Sequence, residues 1–179
     1  MDSQTAFFIA QGISVVTTVV AILCMQLKKM NAILICQLAA NLLAALTYLF
    51  LDGKSGVGIS IIAVVQTLVM FFFERKGKKP HPVIIGLFIA AYVAYSILIF
   101  QNIFDLLPLG AAICFALGIA QKKPSAYRIF GAINPLFWLV YDVYTMELVN
   151  IIMHSCIFIS AVVGIVRLDI VGRRKSKTK

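Results

Sequence analysis

Charge is scarce in this chain, and acidic charge is scarcest. Of 179 residues 13% are charged, with 7 Asp or Glu against 16 Lys or Arg. An ordinary soluble domain is about one quarter charged and about half apolar. Here 61% of the residues are hydrophobic and the mean hydropathy is +0.98. A soluble fold of this length has too little interior to hide so much apolar surface. A soluble enzyme and a disordered chain are therefore poor readings. The parts for site chemistry are few as well. His81 and His154 stand 73 residues apart with no HExxH or Cys–His cluster, so no metal site is expected. Cys24, Cys36, Cys114 and Cys156 lie inside apolar runs without CxxC spacing, which rules out a disulfide scaffold. No lysine lies within an apolar run, so a retinal-type Schiff base has no anchor, and no nucleophile–base pair stands out. Neither an enzyme nor a cofactor carrier is expected.

What the chain does have is a series of apolar runs separated by short polar breaks. A helix needs about 20 residues to cross the hydrocarbon core. The breaks delimit seven spans, 5–27, 31–51, 55–75, 83–101, 106–121, 125–144 and 147–168, followed by a basic tail. With the N-terminus outside, Lys28, Lys29, Arg75, Lys76, Lys78, Lys79, Lys122, Lys123, Arg128, Arg167 and the five basic residues of the tail share one side. Only Lys54 falls on the other, with Asp2, Asp52, Asp105, Asp142 and Glu147. Short loops rich in Lys and Arg stay in the cytoplasm, so the expected topology is N-outside, C-inside. The net charge of +9 is then topological rather than a nucleic-acid surface. The tail also suits anionic lipid headgroups.

Lys28-Lys29 and Lys122-Lys123 precede the second and sixth spans at an offset of 94 residues. The same offset pairs Asn41 with Pro135, Ala44 with Trp138, Tyr48 with Asp142 and Ser60 with His154. Spans one to three and five to seven each carry a basic link after the first helix and an acidic one after the second. The expected fold is an all-α membrane protein: two parallel three-helix bundles, residues 1–79 and 105–179, joined by a linker helix within 80–104. Transporters built from parallel repeats place the substrate between the units.

Three short motifs carry a family resemblance: Ala10-Gln11-Gly12 in the first span, Leu106-Leu107-Pro108 opening the fifth, and Phe137-Trp138-Leu139-Val140 in the sixth. With the 3+1+3 plan, they make the chain resemble the YgjV-like family of bacterial inner-membrane proteins within the SWEET, semiSWEET and PQ-loop (MtN3-like) superfamily. The chain departs from that superfamily in having no Pro-Gln dipeptide and a single mid-span proline, Pro135. The resemblance implies a bacterial inner-membrane location and transport of a small solute such as a sugar, while the YgjV-like family itself implies no particular substrate.

Polar groups at membrane depth are costly and ask for a partner or a wet cavity. Asn41, Gln66, Asn134, Trp138, Asn150 and His154 are the candidate substrate-binding residues. Pro135 removes a backbone donor in the sixth span and permits a kink, and Gly131 in the preceding turn leaves space, so the two are the candidate hinge. Tyr48, Tyr141 and Asp142 are the candidate outer gate. Each Asn or Gln also has a plainer reading as a tie between helices. The functional expectation is a facilitative transporter of a small neutral polar solute working by alternating access. The alternative is a membrane receptor or interaction protein of the same architecture, and a homo-oligomer is left open.

Overall fold

A computed structural model describes residues 3–50, 54–146 and 148–172. Asp2, Asp52, Glu147 and the basic tail from Arg173 lie outside the described residues. Seven α-helices run in sequence: α1 (Ser3–Gln26), α2 (Met30–Phe50), α3 (Lys54–Arg75), α4 (Pro82–Leu98), α5 (Leu106–Ile119), α6 (Pro124–Thr145) and α7 (Leu148–Gly164). Four stretches are long and apolar enough to cross a membrane: Gln4–Gln26, Met30–Phe50, Val57–Arg75 and Leu148–Val171. Pro82–Leu98 and Ile103–Ile119 are apolar but shorter. The most amphipathic helix is α6, which carries Arg128, Asn134 and Asp142 among its 22 residues.

Helix ends follow local chemistry. Pro82 and Pro124 occupy the first turns of α4 and α6, where the missing N–H has no partner to lose. The His81 ring caps α4 by accepting the Val83 N–H at 3.3 Å. The fourth helix stops at Leu98, short of the expected 101, because the residues after it build a cap of their own. Asn102 Oδ1 accepts the Phe104 N–H at 2.8 Å, and Asp105 Oδ2 accepts those of Gln101 and Asn102 at 2.8 and 2.9 Å. This reciprocal cap holds a 3₁₀ turn, Ile103–Asp105, against the start of α5. The fifth helix ends at Ile119, two residues before the expected 121. The last helix outruns the expected 168 and continues as a π-helical segment, Ile165–Val171.

Each helix packs on its neighbours in sequence, and α1 also lies against α7 while α3 and α4 lie against α5, which closes the bundle. The main core sits at one end of it. Met25, Met30, Ile33, Leu34, Met70, Ile119, Tyr127 and Ala161 are buried together there, beside the Lys28-Lys29 and Lys122-Lys123 breaks. A smaller cluster of Tyr92, Ala112 and Ala116 joins α4 to α5.

Candidate functional site

At the end opposite the main core lies a cavity of about 1210 Å³ lined by all seven helices. It reaches from Ala21 and Ile157, near mid-bundle, to Ile99, Gln101 and Met146 in the links. Gln11, Ser14, Thr18 and Ala21 line it from α1, and their spacing keeps them on one helical face. Two threonines of that wall are satisfied within the helix: Thr17 Oγ1 donates to Ile13 O at 2.8 Å and Thr18 Oγ1 to Ser14 O at 2.9 Å.

The most ordered chemistry is where α6 meets α7. Trp138, Tyr141 and Asp142 stand at i, i+3 and i+4 on α6, so one face presents all three. Asp142 is 1% exposed, and its Oδ2 lies 2.6 Å from His154 Nδ1 on α7. Because Nδ1 is the ring nitrogen that meets the carboxylate, Nε2 is turned away from Asp142. The His154 ring stacks on Trp138 with centroids 5.6 Å apart and planes within 8°. Trp138 meets Tyr141 edge to face at 6.1 Å. Asp142 is thus not simply a mouth residue ringed by tyrosines. Its hydrogen-bond partner is His154. All of Tyr48, Trp138, Tyr141, Asp142, Asn150 and His154 line the cavity.

Asn41, Gln66 and Asn134 do not line it. Asn134 Nδ2 donates to Ala111 O at 2.7 Å, tying α6 to α5. Asn41 accepts from Gln37 at 3.2 Å and donates to Thr67 Oγ1 at 3.1 Å. Gln66, wholly buried, donates to Ala116 O at 3.4 Å and accepts the Tyr92 hydroxyl at 3.2 Å, joining α3, α4 and α5. Gln66→Leu should therefore leave ligand affinity unchanged and lower stability by about 1–3 kcal/mol, because the buried Tyr92 hydroxyl loses its acceptor. Thermal unfolding and a ligand titration on the same sample check both halves. Pro135 is fully buried within an α6 unbroken from Pro124 to Thr145. The space beside Gly131 is filled: a Cβ there would lie 2.7 Å from Met25 Cε.

Beyond the cavity, toward the main core, lie bonded polar groups that the sequence does not single out. Arg128 of α6 is 1% exposed. Its Nε donates to Met25 O at 2.9 Å, Nη2 to Leu27 O, and Nη1 to Asp169 at 2.8 Å. Gln26 Nε2 donates to Ser160 O and Oγ at 2.8 and 2.9 Å, and Ser160 Oγ donates to Ile22 O at 3.0 Å. The Tyr127 hydroxyl donates to Gln37 Oε1 at 2.8 Å. Apart from the Arg128–Asp169 pair, which ties α6 to the end of the last helix, these bonds join α6 or α7 to α1, α2 or the link after α1. One signal for them was available: Asp169 is the only acid in the last apolar stretch.

Among the described residues no group of three or more His, Cys, Asp or Glu could hold a metal ion. No curated protein and no solved structure matches the chain significantly. A family model described as a bacterial inner membrane protein, Imp-YgjV, matches residues 8–170, and the chain belongs to that family.

Proposed function

We propose that this inner-membrane protein is a facilitative transporter of a small polar solute, working by alternating access between a unit of α1 to α3 and a unit of α5 to α7. In this reading the bundle crosses the membrane seven times in the SWEET-like 3+1+3 plan, N-terminus outside, with α4 as linker. One observation carries it. Among the described residues a large cavity occupies one end of the bundle, while at the other end the Arg128, Gln26 and Tyr127 bonds run between the two units. A pathway closed by bonds between units, rather than within one, opens when the units rock. No chemistry on the solute is proposed.

Flux into proteoliposomes tests the reading. Sugars, nucleosides and vitamin precursors form the probe panel, and saturable protein-dependent uptake of at least one is expected. Binding without flux of any bound probe would favour the receptor alternative. Orientation is tested separately with a membrane-impermeant maleimide on cells carrying a chain without its four native cysteines. Ile103→Cys should label on intact cells and Lys76→Cys only after permeabilisation. Labelling of both from one side would overturn the seven-span topology.

A further inference from the structure

A neutral solute is the sequence expectation, because no carboxylate lies deeper in the spans than Asp142. With Asp142 itself buried in the cavity wall, that expectation no longer follows. The electrostatics of the wall are one-sided. The chain holds 16 Lys and Arg, yet among the described residues none lines the cavity, whereas Asp105 and Asp142 both do. Asp105 spends one oxygen on two backbone N–H groups, which fixes its position without removing its charge. Asp142 meets one imidazole through a single oxygen, Oδ2. The other titratable groups in the wall are Tyr48 and Tyr141. Among the described residues an anion entering here would meet two carboxylates and no ammonium or guanidinium.

The rest of the lining fits an organic cation better than a bare metal ion. Trp138 and Tyr141 meet edge to face and, with Tyr48, supply aromatic surface, whose electron-rich faces attract ammonium groups. A cavity of about 1210 Å³ is far larger than a dehydrated metal ion needs. A carboxylate removed from water strengthens the preference for positive charge, since a low local dielectric magnifies the attraction. We propose that this cavity selects a small organic monocation, with its ammonium group held by the Trp138–Tyr141 wall and its charge balanced by Asp142. The proposal deepens the transport reading and rests on it only for the solute's passage, not for its binding.

Trp138 is the only tryptophan in the chain, so intrinsic emission of the purified full-length protein reports directly on this wall. The probes are choline and its neutral isostere, in which carbon replaces the ammonium nitrogen. Choline should shift the emission saturably, and the isostere should not at the same concentrations. Asp142→Asn should weaken the choline response by about tenfold or more, as loss of a charged partner does, with gel filtration confirming that the variant is folded. Asp105→Asn, read the same way, should weaken it less. An isostere response equal to that of choline overturns the proposal on the wild-type protein alone, whatever the variants do. So does an unchanged affinity in folded Asp142→Asn. Choline binding without choline flux in proteoliposomes would instead sink the transport reading and leave the cation site standing. Flux of a neutral probe with no choline response would do the reverse.

Discussion

Replacing Arg128 by Leu should lower the stability of the purified chain by about 3–5 kcal/mol, the usual consequence of breaking a buried ion pair from one side. The guanidinium is the largest fully buried side chain in the structure. Three of its nitrogens are committed, to Met25 O, Leu27 O and Asp169. The two carbonyls lie at the C-terminal end of α1, where the last turn has no partners within its own helix, so Arg128 caps α1 from across the bundle. Leu would strand those carbonyls and the Asp169 carboxylate, whose Oδ2 is already buried without a partner. Arg128→Lys keeps the charge but not the planar fork that reaches three acceptors, so its loss should be intermediate. The double change Arg128→Leu with Asp169→Leu should be milder than Arg128→Leu alone, since removing both charges leaves none uncompensated. Thermal unfolding in detergent measures all three. A loss below about 1 kcal/mol for Arg128→Leu would place the pair among weak surface bridges.

The fold was far more legible in the sequence than the site, and the reason is dimensional. Helix limits are a one-dimensional property: Lys28-Lys29, the break after Arg75 and the prolines Pro82 and Pro124 interrupt the hydropathy where the helices stop. The error at the end of α4 came from the local Asn102–Asp105 cap, whose bonds outweigh continued hydropathy. Site residues need a second coordinate, the rotation of each helix about its own axis, and packing sets that. Depth alone put Asn41, Gln66 and Asn134 together, but their helices turn them toward neighbouring helices rather than the cavity. Trp138, Tyr141 and Asp142 share a face through i, i+3 and i+4 spacing, so their grouping was readable. The pairing of Asp142 with His154 was not, because it depends on how α7 is set against α6. Arg128 was read as one more topological charge. Its partner Asp169 is 41 residues away, and no local pattern links them.

The packing around Arg128 also makes a prediction about two glycines that face the same residue in different ways. A Cβ built on Gly164 would lie 2.6 Å from the Met25 carbonyl oxygen and 3.1 Å from Arg128 Cδ. One built on Gly131 would lie 2.7 Å from Met25 Cε and 2.9 Å from its sulfur. The first obstacle is backbone, held in place by Arg128; the second is the free end of a side chain with three rotatable bonds, the most adaptable in a core. Gly164→Ala should therefore push α1 away from α7 and cost about 1–3 kcal/mol as an overpacked contact. Gly131→Ala should be close to neutral, because Met25 can swing aside and Ala gains about 1 kcal/mol of helix propensity over Gly. The native Cys24 supplies a second readout. It is 0% exposed and adjoins Met25 in the chain, so in a variant lacking the other three cysteines its maleimide labelling rate reports displacement of this end of α1 from the bundle. That rate should rise in Gly164→Ala and stay low in Gly131→Ala. Equal stabilities with equally slow labelling would mean that a Cβ at Gly164 is accommodated without moving α1, and the contact would then rest on Arg128 rather than on close backbone packing.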